Sequence, residues 1–195
     1  MKACVLYSGG KDSSLISVIL KKLGYDLELL TANFGISDSW RSAKRSSESL
    51  GFKHEVLRMD PKIIEKAKSI IIKDGFPNNG INYIHKKTIE KVAQQYDIIA
   101  DGTRRDDRTP KLNMDEIRSL EDKYGVEYIN LQGFGHKTIN YLSKNLFIIK
   151  KEESNSENSD YETEIRALIK ESEGKKTATS LFPHHIQTRV IGWKK

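Results

Sequence analysis

A glycine-rich segment near the amino terminus carries the residues best suited to chemistry. It directly follows the apolar run from Ala3 to Tyr7 and consists of Ser8, Gly9, Gly10, Lys11, Asp12 and Ser13. Two adjacent glycines lack the Cβ atoms that hinder a tight turn, so successive backbone N–H groups can point into one concavity. A helix predicted to begin near Asp12 adds unpaired N–H groups and the positive end of its dipole. The segment is therefore predicted to bind an anion such as a phosphate chain.

Lys11 distinguishes a ligand-binding loop from a plain Gly-Gly turn. In a plain turn, Asp12 or Ser13 would only cap the helix. A lysine at the positive end of a helix is unfavourable unless an anion offsets its charge, which favours the ligand. The segment is not a Walker loop, because that pattern has four residues between its first glycine and a Gly-Lys-Ser/Thr triplet, and no such spacing occurs here.

The hexapeptide, at the first strand-to-helix junction, resembles the signature of the N-type ATP pyrophosphatases, also called the PP-loop or adenine nucleotide alpha-hydrolase-like superfamily. The resemblance implies that the loop holds the β- and γ-phosphates of ATP while an acceptor attacks the α-phosphorus, so that the acceptor is adenylated and pyrophosphate leaves. It also implies that Lys11 contacts these phosphates and that Asp12 binds Mg²⁺ or organises the loop. ATP and Mg²⁺ are the expected cofactors.

Strand and helix patterns alternate along the chain and predict an α/β fold with a doubly wound, mostly parallel five-stranded sheet and helices on both faces. Strands are predicted at 3–7, 27–34, 54–58, 97–101 and 126–131. Helices are predicted from about Asp12, from a cap at Ser37 or Asp38 to Leu50, and at 61–75, 81–96, 114–124 and 161–171. Residues 1–150 are expected to form the ATP-binding domain, 151–163 a polar linker or flexible loop, and 164–195 a small C-terminal extension of helix and strand on the same domain.

The ends of the second and fourth strands supply further candidates, because ligands collect at the carboxyl ends of parallel strands. Asn33 and Phe34 end the second strand, and the superfamily resemblance implies that this end contacts adenine. Phe34 either stacks on the base or packs in the core. Gly102 and Thr103 end the fourth strand, and a Gly-Thr pair at this place takes part in ATP and acceptor binding in proteins that the chain resembles.

A charged loop follows the fourth strand and contains Arg104, Arg105, Asp106, Asp107 and Arg108. Guanidinium groups suit phosphate oxygens, and carboxylates suit Mg²⁺. Arg105 is therefore a candidate for ATP binding, and Asp107 for catalysis and for binding Mg²⁺ together with Asp12. The alternative is a solvated loop of mutually paired charges.

A polar set in the strand-like tail of the chain has two interpretations. It comprises His184, His185, Gln187 and Arg189. The tail either closes over the site and binds substrate or forms an edge strand. Alternation along a strand would place His185, Gln187 and Arg189 on one side.

Size and charge restrict the function classes. The 195 residues suit one domain, and 33 basic against 27 acidic residues give a net charge of +6. Residues 152–173 carry −6, which leaves +12 on the remainder. Such a surplus suits a polyanionic partner such as tRNA. No signal peptide or apolar span is evident, so a cytoplasmic protein without membrane contact is expected.

The single cysteine, Cys4, is predicted to be a core residue of the first strand. It suits neither a disulfide nor sulfur transfer in cis, so a sulfur donor would be a partner protein. Ammonia would arrive free or from a partner, since no glutaminase nucleophile is present. The first 14 residues also resemble archaeal-type diphthine–ammonia ligases, and many relatives form homodimers.

The sequence thus predicts an ATP-dependent enzyme that adenylates an unidentified acceptor, as a ligase or an RNA-modifying enzyme. One alternative is an adenine-nucleotide sensor without turnover. Another is amidation of the diphthine–ammonia ligase kind, or tRNA thiolation with a partner as sulfur donor.

Overall fold

A five-stranded parallel sheet forms the centre of the computed structural model, which describes residues 1–153, 160–183 and 186–194. The strand order is β3-β2-β1-β4-β5, and every neighbouring pair is parallel. The strands are β1 (Lys2–Leu6), β2 (Asp26–Asn33), β3 (His54–Arg58), β4 (Ile98–Arg104) and β5 (Glu127–Leu131). The predicted doubly wound five-stranded sheet is therefore confirmed.

Helices cover both faces of this sheet, and alternate side chains of β1 accordingly lie in two different cores. Val5 lies in one core with Leu15 and Leu29, whereas Cys4 lies in the other with Ile89. The helices are α1 (Lys11–Lys22), α2 (Trp40–Leu50), α3 (Pro61–Asp74), α4 (Asn78–Val92), α5 (Met114–Tyr124), α6 (His136–Leu146) and α7 (Tyr161–Leu181). No helix within the described ranges has the length and apolar character needed to cross a membrane.

The cap predicted for α2 is wrong, although its end is correct. The N-cap residue is Ser39, not Ser37 or Asp38, and its side chain makes no capping hydrogen bond. The Asp38 carboxylate instead accepts a hydrogen bond of 2.7 Å from Arg41 Nη2, which withdraws it from capping. Gly51 ends the helix in the left-handed conformation, as its position in the sequence indicates.

The C-terminal part differs from the sequence prediction in three ways. Strand β6 (Phe147–Glu153) was not predicted, and it pairs antiparallel with β7 (Ile186–Trp193) in a separate two-stranded sheet. Helix α6 was not predicted either. Helix α7 continues past residue 171 to Leu181, with Gly174 in a non-helical conformation.

The predicted division into domains stays a prediction. Strand β6 extends from residue 147 to residue 153 and so crosses the boundary expected at residue 150. Within the expected linker, residues 154–159 lie outside the described residues, as do His184 and His185 of the tail.

Candidate active site

The glycine loop connects β1 to α1 and leaves the first turn of that helix open. Gly10 is the N-cap residue of α1, and no side chain of the described residues caps the helix. Neither Asp12 nor Ser13 therefore caps the helix by a side-chain hydrogen bond, and ligand binding by the loop stays a prediction. Gly9 has a φ of +77° and packs closely on α2, since a Cβ on Gly9 would lie 3.2 Å from Ala43 Cα. A glycine is required there for both reasons.

The end of β4 lies directly against this first turn. A Cβ on Gly102 would lie 2.6 Å from Ser13 N and 2.7 Å from the carbonyl carbon of Asp12. Such contacts are too short for any side chain, so the close approach of strand to helix requires glycine. The strand also continues to Arg104, whereas the sequence predicted its end at Gly102 and Thr103.

Two cavities meet at the glycine loop. The apolar cavity has a volume of about 220 Å³, and its lining includes Leu6, Tyr7, Leu30, Ala32, Pro110 and Tyr161. The polar cavity has a volume of about 370 Å³, and its lining includes Gly10, Lys11, Ser42, Arg104, Gln187 and Arg189. Both are lined by Ser8, Asp12, Ser13 and Asp160. An elongated ligand with one apolar and one charged end could therefore occupy both.

Charged side chains surround Asp12 at the junction of the cavities. Lys11 Nζ lies 2.9 Å and 3.1 Å from the two carboxylate oxygens of Asp12. Arg104 Nε lies 3.6 Å from Asp12 Oδ2. The loop mouth thus holds two cations, Lys11 and Arg104, whose N–H groups are of the kind that bind phosphate oxygens.

Arg104 and Asp107 form the ordered pair of the charged loop. Asp107 accepts hydrogen bonds from Arg104 N at 2.7 Å and Arg104 Nε at 3.1 Å, and a third from Nη2. The hydrogen bond to Asp107 raises the pKa of the Arg104 guanidinium above its ordinary value. Asp106 and Arg108 are exposed. The alternative prediction, a loop of mutually paired charges, therefore holds for Arg104 and Asp107. These two residues line the cavities.

Arg105, which the sequence favoured over Arg104, lies outside the lining of both cavities. It is exposed, its carbonyl oxygen accepts a hydrogen bond of 2.7 Å from Lys111 Nζ, and its guanidinium lies beside Gly135. Since β4 continues to residue 104, Arg104 lies on the same side of the strand as Gly102 and reaches the loop. The sequence prediction preferred Arg105 because it ended this strand at Gly102 and Thr103, two residues or one residue too early. A role of Arg105 in ATP binding stays a prediction without geometric support.

Asn33 and Phe34 belong to the protein interior. Phe34 is 5% exposed and packs in a third core cluster with Met59 and Ile64, so its placement favours the core alternative over stacking on adenine. Asn33 Nδ2 donates a hydrogen bond of 3.0 Å to Glu164 Oε1. Strand β2 contributes Leu30, Thr31 and Ala32 to the apolar cavity instead. Adenine contact by Asn33 or Phe34 stays a prediction.

Glu164 of α7 binds the backbone of the turn that follows β2. Its carboxylate accepts hydrogen bonds from Phe34 N at 2.9 Å, Ile36 N at 3.0 Å and Ser37 N at 3.3 Å. Burial raises the pKa of Glu164 above its ordinary value, although these N–H groups oppose the shift. This contact fixes the C-terminal helix to the sheet edge that carries the apolar cavity.

A buried polar cluster that the sequence did not predict lies on the apolar cavity wall. His85 Nε2 lies 2.9 Å from Asp101 Oδ2 without the alignment of a hydrogen bond, and His85 Nδ1 lies 3.2 Å from the Tyr161 hydroxyl. Burial acts to raise the pKa of Asp101, but His85, Thr103 N and the Tyr128 hydroxyl outweigh it and hold that pKa below its ordinary value. Asp101 therefore stays ionised and fixes the strand end before Gly102.

The tail lies beside the glycine loop. Val190 N donates a hydrogen bond of 2.9 Å to Gly9 O, and Gln187 Nε2 donates one of 2.6 Å to Asp160 Oδ2. Gln187 and Arg189 both line the polar cavity. The tail is thus placed where the substrate-binding alternative requires it, and binding itself stays a prediction.

The residues at the cavities fit Mg²⁺ only in part. The described residues contain no group of three or more His, Cys, Asp and Glu side chains that could hold a metal ion. Mg²⁺ commonly takes one or two carboxylates together with substrate phosphates, and Asp12 is suitably placed for this. Asp107 is engaged by Arg104 through both carboxylate oxygens, and Asp12 by Lys11 in the same way, so Mg²⁺ would have to displace an ion pair at either residue.

Cys4 is not placed for chemistry. It is fully buried in the core, and burial raises the pKa of its thiol to about 12, with the charge of Glu28 adding to the shift. A thiol with this pKa is not a nucleophile at neutral pH.

The chain has relatives that match it over its whole length. A family model described as "Family of unknown function (DUF7411)" matches residues 1–192. An uncharacterized protein of Methanocaldococcus jannaschii is 49% identical over 197 residues, which cover 100% of this chain and 98% of the relative. The crystal structure of a predicted subunit of tRNA methyltransferase from Methanocaldococcus jannaschii has a TM-score of 0.93 at 49% identity, covering 100% of this chain and 98% of that one.

A shorter part of the chain is similar in sequence to a synthase. The 7-cyano-7-deazaguanine synthase of Methanocaldococcus jannaschii is 39% identical over 75 residues, which cover 37% of this chain and 32% of that enzyme. This match and the observed sheet confirm the resemblance to the PP-loop superfamily. The chain therefore belongs to the family of unknown function DUF7411, and its own fold is that of the PP-loop ATP pyrophosphatase superfamily.

Proposed function

We propose that the protein binds ATP and adenylates an acceptor with release of pyrophosphate. The observation that carries this proposal is the pair of cavities joined at Ser8, Asp12 and Ser13. The apolar cavity suits adenosine, because its walls combine aliphatic and aromatic side chains with a few polar groups. The polar cavity suits the triphosphate, because it adjoins the open first turn of α1 and is lined by Lys11 and Arg104. The α-phosphate would then lie at the junction.

The chemistry requires no nucleophile from the protein. The acceptor attacks the α-phosphorus, the bond from that phosphorus to the bridging oxygen breaks, and pyrophosphate leaves with the bond's electron pair. Lys11, Arg104 and the N–H groups of the loop would offset the charge that develops on pyrophosphate. Mg²⁺, held by Asp12 and phosphate oxygens, would supply further neutralisation. The remaining contribution is orientation of ATP and acceptor.

The Asp107→Ala variant should lose turnover more than stability. Asp107 holds the Arg104 backbone and guanidinium, so its removal frees Arg104 to leave the polar cavity. We expect kcat/KM for ATP to fall roughly tenfold, the scale of one charged hydrogen bond. The neighbouring variant Asp106→Ala is the matched control, because Asp106 is exposed. Equal activity of the two variants would remove Asp107 from the site.

tRNA is the acceptor class to test first. A relative with nearly the same structure is described as a predicted subunit of tRNA methyltransferase, and this chain carries +12 outside residues 152–173. If tRNA binds across about six phosphates, its affinity should fall roughly a thousandfold between 50 and 200 mM salt. Replacing exposed Arg105 and Arg108 by alanine should reduce the salt slope by about two, whereas Arg118→Ala on α5 should not. A flat response to salt would argue against a broad phosphate interface.

The reaction itself is tested by product analysis with ATP labelled at the α- and γ-phosphates. Incubation with unfractionated tRNA should yield labelled AMP or an adenylated product together with labelled pyrophosphate, and Lys11→Met should abolish both. Formation of ADP and phosphate would contradict the proposal. Tight ATP binding without turnover, with tRNA or carboxylates and with ammonia or sulfide added, would favour the sensor alternative.

A further inference from the structure

We propose that Arg189 of β7 is an anion ligand of the polar cavity, where it binds the β- and γ-phosphates of ATP and the pyrophosphate released from it. This inference rests on the proposed function and extends it to the C-terminal sheet. Strand β7 would then form part of the phosphate site rather than only cover it.

The backbone of β7 is fixed against the glycine loop on both sides of Arg189. Val190 N donates a hydrogen bond of 2.9 Å to Gly9 O, and a Cβ on Gly10 would lie 3.4 Å from Thr188 O. Successive side chains of a strand point to opposite sides, so Arg189 differs in direction from Val190, which is fully buried in the core. Arg189 lines the polar cavity together with Lys11 and Arg104.

The guanidinium of Arg189 has donor capacity to spare. Its Nη2 donates a hydrogen bond of 2.6 Å to Glu152 Oε1, and its side chain is 17% exposed. Among the described residues, its Nε is buried without a hydrogen-bond partner. A guanidinium presents five N–H donors in a fork that matches phosphate oxygens, and the single hydrogen bond of Nη2 to Glu152 leaves further N–H groups of the fork for an anion in the cavity.

Glu152 orients Arg189 without cancelling the local positive charge. Its Oε1 also lies 2.7 Å from Lys150 Nζ, so one carboxylate serves two cations. The hydrogen bond from Lys150 is the largest influence and, with Arg189, keeps the pKa of Glu152 below its ordinary value. The group therefore stays ionised at neutral pH and holds the guanidinium in one orientation.

A purely structural role explains these contacts less well. Arg189 lies directly opposite Lys150 in the register of β6 and β7. Like charges at opposite positions destabilise a strand pair, and Glu152, which contacts both cations, balances only one of the two charges. Recognition of an anion accounts for the placement of Arg189 as a third cation beside Lys11 and Arg104 at the polar cavity.

The test compares the binding of inorganic pyrophosphate, ATP and AMP by titration calorimetry. Arg189→Met should weaken pyrophosphate and ATP binding about tenfold or more and AMP binding less than about twofold. Arg189→Lys keeps the charge but loses the fork, so it should lie between the two. Arg118→Met, which removes a distant exposed charge, should leave all three affinities unchanged.

Exchanging the charges of Glu152 and Arg189 tests whether Arg189 is an anion ligand or has only a structural role. The double variant Glu152→Arg with Arg189→Glu restores a pair of opposite charges between these two positions but places a carboxylate in the cavity. If Arg189 is a ligand, pyrophosphate affinity stays lost in this variant even when its melting temperature matches the wild type. Recovery of pyrophosphate affinity in the double variant would overturn the inference. So would unchanged pyrophosphate affinity in both Arg189→Met and Arg189→Lys, or a loss of AMP affinity as large as that of pyrophosphate affinity. None of these results would contradict the proposal that the protein binds ATP. A wild-type protein that binds neither ATP nor pyrophosphate would overturn the proposed function as well.

Discussion

Gly102→Ala should reduce ATP affinity about tenfold or more and lower the free energy of unfolding by roughly 1–3 kcal/mol. The new Cβ would lie 2.6 Å from Ser13 N and 2.7 Å from the carbonyl carbon of Asp12, both backbone atoms that cannot move independently. Strand β4 and the first turn of α1 must separate, which displaces the N–H groups proposed to bind phosphate. Calorimetry with ATP and thermal unfolding measure the two effects.

Gly133→Ala is the matched control for this substitution. Gly133 has no positive φ, and nothing lies within 4 Å of a Cβ built on it. The control should therefore keep both stability and ATP affinity. If Gly102→Ala behaved like Gly133→Ala, the close approach of β4 to the loop would not matter for binding.

Gly10→Val should abolish measurable ATP binding while leaving the fold intact. Gly10 lines the polar cavity and has φ −73° and ψ 165°, which a valine adopts without strain. Its Cβ would lie 3.3 Å from Ser8 Oγ and 3.4 Å from Thr188 O, two residues that also line this cavity, and we expect the added methyl groups to occupy part of the space proposed for phosphate. Circular dichroism and ATP titration of the same sample measure fold and binding together.

Gly9→Val in the same loop should differ from Gly10→Val in its effect on stability. Its φ of +77° and the 3.2 Å approach to Ala43 Cα mean that this variant should lose stability as well as binding. ATP affinity near that of the wild type in Gly10→Val would reject the assignment of the loop as the phosphate site.

The sheet and the loop could be predicted because their signals are local. Strands buried on both faces appear as short apolar runs, as β2 does, which is buried over most of its length. The prediction for 54–58 also matches the edge strand β3 at both ends. Gly51 and Gly75 mark helix ends through a conformation that glycine favours. The hexapeptide from Ser8 to Ser13 likewise contains its own turn and helix start.

The remaining site depends on contacts between distant parts of the chain. His85, Asp101 and Tyr161 come from α4, β4 and α7, and no spacing in the sequence relates them. Phe34 was ambiguous because an aromatic residue at a strand end suits both a base and a core, and only packing against Met59 distinguishes the two. Helix α6, by contrast, had a readable signal in Ile139, Leu142 and Leu146, whose spacing is helical.

The most direct test of the joined cavities is calorimetric titration of the wild-type protein with ATP, AMP and pyrophosphate. We expect one ATP per chain to bind with higher affinity than either AMP or pyrophosphate, because ATP alone fills both cavities. We also expect AMP and pyrophosphate to bind together, one in each cavity. Absence of ATP binding, or competition between AMP and pyrophosphate for a single site, would contradict the proposed binding of ATP across both cavities.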